Sequence, residues 1–280
     1  MLLTCYIYKF KEKNHLKKVS SCINYYNTKI VETSFKEIYE YETVIAQGYE
    51  VDIEQERTYT NFEDASLEHK NERIKRMKKY HKNQRWELSR LIDVNFDNRT
   101  SFITITFKEN ITDIEYANAE FKKFIKRLNY KLFKTKKAKL KYLAVWELQK
   151  RGAIHYHIIF FSLPFIAHEK LKKLWPLGSI NIKKIKVDKK ENVGRYISKY
   201  FEKNLDNPKR LLKYINKKRI FKSKNLKKPH VSYEFNDKFK KFNAEDVLFQ
   251  KEYTGYRKVD GEYEEYVIRY TKLKAKEGSS

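Results

Sequence analysis

The sequence predicts an α+β fold, an antiparallel sheet with flanking helices. Three observations carry that expectation. Ser101 to Phe107 (SFITITF) alternates apolar residues with Thr at the period of a strand. Ile114 to about Lys137 repeats apolar residues at helical spacing. Two apolar runs then follow, separated only by QKRG, whose Gly152 suits a hairpin turn.

Taken in order, residues 1 to about 67 are Tyr-rich and mixed in charge, with short alternating runs such as TCYIYKF, and read as a few strands or an irregular extension. Ser66 to about Leu91 lacks Gly and Pro and opens with Ser-x-x-His, which predicts a charged surface helix with a narrow apolar seam. After the 101–107 strand, Ala117, Phe121, Phe124, Ile125, Leu128 and Leu132 share one face of an amphipathic helix. Lys141 to Leu148 and Ala153 to Phe161 are the two arms of the hairpin. A short helix is expected near 167–174, a strand near 179–187 and a helix from about Asn192 to Lys203. The order β-α-β-β-α-β-α around a central hairpin implies an antiparallel sheet with helices packed on it. The expected organisation is an N-terminal extension over 1–94, a core domain over 95–230 that ends in a basic segment, 206–230, and a C-terminal extension over 231–280.

Composition narrows the classes of function. Of 280 residues, 62 are Lys or Arg and 36 are Asp or Glu, a formal net charge of +26. Such an excess attracts nucleic acid, an anionic membrane surface or an acidic protein. Aromatics make up 15 %, too many for a disordered chain. Cys5 and Cys22 are too few for a disulfide framework and lack the paired spacing of a zinc site, so a cytoplasmic protein is expected. The most apolar stretch, Ile158 to Ala167, is about half a membrane span, and neither a signal peptide nor a membrane helix is expected. No GxxxxGK[ST] occurs among the seven glycines, so unwinding of a duplex would fall to a host helicase.

Two constellations carry chemistry. His155 and His157 lie two apart on a strand and therefore project to one face, while Tyr156 points to the other. Glu147 precedes His155 by eight residues, and a hairpin turning at Lys150 to Gly152 brings it alongside. One face then offers two imidazoles and a carboxylate with positions left open, a set suited to Mg or Mn, or to Zn, and to polarising a phosphate. The second constellation is YISKYFEK, Tyr196 to Lys203. Tyr196 and Tyr200 stand at i and i+4 on the expected helix, and Lys199 and Lys203 repeat that spacing. A free tyrosine has a pKa of ~10 and needs nearby cations or a metal-polarised phosphate to attack at neutral pH. The steepest charge bias follows directly, with ten Lys or Arg against one acid over 206–230.

The residues WELQKRGAIHYHIIFF, with SFITITF before them and YISKYFEK after, resemble the rolling-circle replication initiators of the HUH endonuclease superfamily, in particular paired-tyrosine Rep proteins such as phage gene A proteins. The resemblance runs from about Asn95 to Pro229. It implies a ferredoxin- or RRM-like core, Glu147, His155 and His157 as ligands of Mg or Mn, Tyr196 and Tyr200 as nucleophiles, and Lys199 and Lys203 as their attendant lysines. It further implies a partner, single-stranded DNA at a replication origin, cut through a 5′-phosphotyrosine, with a host helicase and polymerase completing replication. Arg151, Lys217, Lys218, Arg219, Lys222, Lys224, Lys227 and Lys228 are the expected DNA contacts. An HUH transposase or relaxase would share the histidines and a tyrosine, although relaxases usually place the tyrosine first and here Tyr196 follows His157 by 39 positions. A non-enzymatic basic nucleic-acid-binding protein would share only the charge.

Overall fold

The computed structural model describes residues 16–18, 24–47, 49–51, 62, 64–184, 217–259 and 262–274. The expected helix over 192–203, with its tyrosines, lies outside them. The chain forms two compact units, one of Phe62–His230 and the other of Met1–Asn61 with Val231–Ser280. The described residues hold two five-stranded antiparallel sheets and few helices, the α+β class expected.

The unit of Met1–Asn61 with Val231–Ser280 contains a pair of short strands, β1 (Leu16–Lys18) and β4 (Tyr49–Val51), and a larger sheet. That sheet is built from β2 (Asn24–Glu32), β3 (Phe35–Gln47), β10 (His230–Glu234), β11 (Val247–Val259) and β12 (Glu262–Lys274), in the order β10-β2-β3-β12-β11. Ile30, Ile38 and Thr271 are buried on one face. Over that face the 236–240 segment docks through Asn236, whose side chain donates to Thr28 Oγ1, and through the Lys240 backbone N–H, which donates to Glu40 Oε1.

In Phe62–His230 the first element is α1 (Leu67–Asn95), capped by Ser66, whose hydroxyl accepts from the His69 N–H. The sheet comprises β5 (Ser101–Phe107), β6 (Lys141–Leu148), β7 (Ile154–Phe161), β8 (Gly178–Lys184) and β9 (Ile220–Lys222), in the order β8-β5-β7-β6-β9. Helix α2 (Ile114–Phe133) connects β5 to β6, which run parallel because β7 lies between them and pairs antiparallel with both. Helix α3 (His168–Leu174) precedes β8.

Both faces of this sheet are covered, so its central strands are apolar almost throughout. Ile103, Ile105, Trp146, Tyr156, Ile158 and Phe160 pack against Phe121, Phe124 and Leu128 of α2. The Tyr156 ring stacks on Phe121 with centroids 4.5 Å apart, and its hydroxyl donates to Asn118 Oδ1 at 2.7 Å. On the other face, Leu88 and Ile92 of α1 pack on Phe102, Leu143, Val145, Ile159 and Phe161. The apolar seam of α1 therefore closes one end of that face. Helix α2 ends at Phe133, four residues before the expected limit, because Lys134 turns left-handed with φ 53°. The Asn129 side chain then fastens the following loop, donating to the Thr135 and Lys137 carbonyls and accepting from the Lys139 and Leu140 N–H groups.

The core makes a direct prediction. Phe121→Ala removes a fully buried ring that stacks on Tyr156, and should destabilise this unit by about 3–5 kcal/mol. Urea unfolding followed by the fluorescence of the buried Trp146 and Trp175 measures it.

Candidate metal centre

The hairpin sets the site. The Gln149 carbonyl accepts from the Gly152 N–H at 3.0 Å, and the Gln149 N–H donates to the Ala153 carbonyl at 2.8 Å. Gly152 sits at φ 89°, a conformation that glycine adopts without steric cost. With the turn fixed there, Glu147 on β6 pairs directly with His155 on β7, and Val145 with His157. All three polar side chains are buried.

Their donor atoms converge. Glu147 Oε1 lies 2.9 Å from Nε2 of His155 and 2.9 Å from Nε2 of His157, and the two Nε2 atoms are 3.1 Å apart. Three adjacent corners of an octahedron with bonds of about 2.1 Å are about 3.0 Å apart, whereas the corners of a tetrahedron are about 3.4 Å apart. The observed triangle fits the octahedral spacing. Among the described residues, this is the group of His, Cys, Asp or Glu side chains close enough to hold a metal ion. Burial pushes the Glu147 carboxyl up, but hydrogen bonds from His155 and His157, with their charge, outweigh it and hold the group well below the usual carboxylate range. It is ionised at neutral pH, as a ligand must be.

Strand β5 supplies what the sequence reading passed over. Thr104 pairs with His157 across the sheet, and its Oγ1 lies 3.0 Å from His157 Nδ1. A hydroxyl there accepts the Nδ1 proton and leaves Nε2 with its lone pair directed at Glu147 and His155, the tautomer that a metal ligand needs. The Phe102 ring lies nearly parallel to the His157 imidazole, with centroids 5.6 Å apart, and limits its rotation. The signal was available, because a strand that alternates Phe, Thr and Thr on one face has polar hydroxyls where SFITITF meets the histidine strand.

The remaining candidates are placed as follows. Arg151 donates to the Phe107 carbonyl at 3.0 Å and to Gln149 Oε1, tying the hairpin to the end of β5. Lys217 pairs with Glu115 at 2.5 Å. The Lys218 carbonyl accepts from Trp146 Nε1, while its ammonium lies 5.3 Å from the Phe221 ring centroid. Arg219 is buried, and its Nε donates to the Trp146 carbonyl. Strand β9 thus pins the basic segment to β6 through Phe221 in the core. Lys222, Lys224, Lys227 and Lys228 are exposed. Asn95 holds the stretch beyond, accepting from the Lys227 N–H and donating to the Lys227 carbonyl. His168 contacts the Ile180 carbonyl instead, and His230 is exposed. Tyr196, Lys199, Tyr200 and Lys203 fall outside the described residues. No helix among the described residues is long and apolar enough to cross a membrane.

Comparison with known proteins agrees with the direction of this chemistry. A family model described as replication-associated protein ORF2 matches residues 100–205. The Phasyl DNA replicon protein arp of Escherichia coli is 22 % identical over 147 residues, covering 43 % of this chain and 49 % of that protein. The chain thus spans about half the length of that relative. No solved structure matches. The family match and the replicon protein support a replication initiator.

The site makes its own prediction. Thr104→Val keeps the shape but removes the acceptor for His157 Nδ1, and should weaken Mn²⁺ binding by about 10- to 100-fold without unfolding the chain. Calorimetric titration with Mn²⁺ checks it.

Proposed function

We propose that this protein initiates rolling-circle DNA replication as an HUH endonuclease, nicking and rejoining single-stranded DNA at an origin through a 5′-phosphotyrosine. The observation that carries the reading is the triangle of Glu147 Oε1 with the Nε2 atoms of His155 and His157, with sides of 2.9, 2.9 and 3.1 Å. It lies within a stretch matched by a replication-associated family.

Glu147, His155 and His157 would hold Mg or Mn, whose bound state would polarise a non-bridging phosphate oxygen and lower the barrier to attack. Thr104 fixes the tautomer of His157, and Phe102 fixes its ring. Tyr196 loses its phenolic proton and its oxygen bonds to phosphorus. The bond from phosphorus to the 3′ oxygen breaks, and that oxygen leaves as a 3′-OH once protonated. Lys199 stabilises the phenolate, and Lys203 does the same for Tyr200. The phosphotyrosine retains the phosphodiester's free energy, so a later 3′-OH can displace the tyrosine and reseal the strand. Tyr200, at i+4, is placed to repeat the first step on a regenerated origin. Exposed Lys222, Lys224, Lys227 and Lys228 would draw in the strand through phosphate contacts and counterion release. Extension from the 3′-OH falls to a host polymerase, and unwinding to a host helicase.

The test is formation of a covalent adduct with labelled single-stranded origin DNA. Wild-type protein with Mn²⁺ should give a band that survives denaturation and disappears with EDTA, with Tyr196→Phe plus Tyr200→Phe, or with His155→Ala plus His157→Ala. The histidine variant should still bind DNA, because phosphate contacts supply the affinity. An adduct undiminished by the tyrosine substitutions would overturn the nucleophile assignment.

A further inference from the structure

The sheet built from β2, β3, β10, β11 and β12 lies apart in the chain from the candidate metal centre, and its two faces differ. The face beneath the 236–240 segment buries Ile30, Ile38 and Thr271. The register assigns Tyr39, Tyr41, Tyr253, Tyr266 and Tyr270 to the opposite face. Tyr26 and Tyr233 join them, since the Tyr26 ring lies 6.0 Å from Tyr41 and 4.5 Å from Tyr233, centroid to centroid. Where β2 meets β3, Val31, Phe35 and Glu37 are buried. The open part lies toward the other end, where Tyr253 is 46 % exposed and Tyr233 40 %.

One ring there is held flat. Tyr266 pairs with Gly255, and a Cβ added to Gly255 would come within 2.5 Å of Tyr266 Cζ and 2.7 Å of its Cε2. The phenol ring therefore occupies the space above the glycine. Because Gly255 is the one buried residue in the 251–257 stretch, the edge strand has given up a side chain to seat that ring. A ring laid down on backbone keeps its other side available for stacking.

The charge on this face is positive. By the same register it carries Lys29, Lys251, Arg257, Lys272 and Lys274 against Glu37 and Glu264. Lys251 Nζ lies 5.4 Å from the Tyr253 ring centroid, so a cation and a ring are presented together. Burial pushes the Tyr26 and Tyr41 phenols up, which keeps both neutral and free of repulsion toward phosphate. Surfaces that dock proteins are depleted of Lys, whereas single-stranded nucleic acids are held by aromatic platforms set among cations. The row from β10 to β11 crosses four strand spacings, about 19 Å, comparable to sheets that stack two or three bases.

We propose that the Tyr26, Tyr41, Tyr253 and Tyr266 face is a second binding surface for single-stranded DNA, on which bases stack while Lys251 and its neighbours meet the phosphates. This surface does not depend on the nicking chemistry, and it retains the strand whether or not a metal ion is bound.

The experiment uses the full chain in EDTA with an oligonucleotide of about 20 thymidines carrying 5-iodouracil, photocrosslinked and mapped by mass spectrometry, alongside anisotropy titrations. Crosslinks at Tyr253 or Tyr266 are expected. The Tyr253→Ala, Tyr266→Ala variant should lose those crosslinks and about tenfold or more in affinity. Tyr253→Phe with Tyr266→Phe should retain both, because stacking needs the ring and not the hydroxyl. Tyr263→Ala, an exposed residue on the opposite face of the same hairpin, should change neither. Lys251→Gln should lower the slope of log K against log salt by about one. Should the double alanine variant fail to fold, Tyr253→Ala and the wild-type crosslink map decide. Crosslinks confined to 62–230 would overturn the proposal. So would a wild-type dimer that the alanine variant converts to monomer with DNA affinity unchanged, since the face would then be a contact between copies.

Discussion

The position of every candidate ligand depends on one register, Glu147 opposite His155 across the β6–β7 hairpin. Because side chains alternate along a strand, a slip of one residue would turn Glu147 toward α2 and Trp146 toward the histidines. The turn that prevents this is short and closed by two backbone hydrogen bonds around a left-handed Gly152. Arg151 adds a tether to the Phe107 carbonyl, so the hairpin is fixed to β5 as well as to itself. Packing then reinforces the choice. Tyr156, between the two histidines, is fully buried against Phe121, and reversing it would place a phenol and an imidazole where neither has a partner.

A buried carboxylate beside two buried imidazoles is costly unless its charge is compensated. Hydrogen bonds from the imidazoles provide part of that compensation here. A divalent cation would provide more, and the spacing of the donor atoms matches adjacent corners of an octahedron. The neighbouring β5 strand completes the arrangement through Thr104 and Phe102, which hold His157 by its other nitrogen and by its ring face. Strand β9 performs a related task for the basic segment. Arg219 and Phe221 turn into the fold, and the exposed lysines that follow are carried on a fixed backbone.

Much of this was legible from residue pattern. SFITITF, the hairpin and the apolar face of α2 announced themselves because both the period and the punctuation were clear. Glu147, His155 and His157 could be grouped from strand alternation and turn length alone. Thr104 was missed because a Thr in an alternating strand reads as ordinary strand former until its cross-strand partner is known. Residues 231–280 read in sequence as an extension, yet they contribute two 13-residue strands. Their many charges blur the alternation, although Asp260-Gly261 stands between two such runs and is a strong hairpin signal. Similarly, the tyrosine face could not be seen beforehand, since its rings come from strands more than 200 positions apart in the chain.

Diffraction at the manganese absorption edge, from crystals grown with Mn²⁺, tests the central claim most directly. The account predicts an anomalous peak about 2.1 Å from Glu147 Oε1 and from Nε2 of both His155 and His157, and its loss in Glu147→Ala. A well-ordered hairpin with no anomalous density inside that triangle would contradict it.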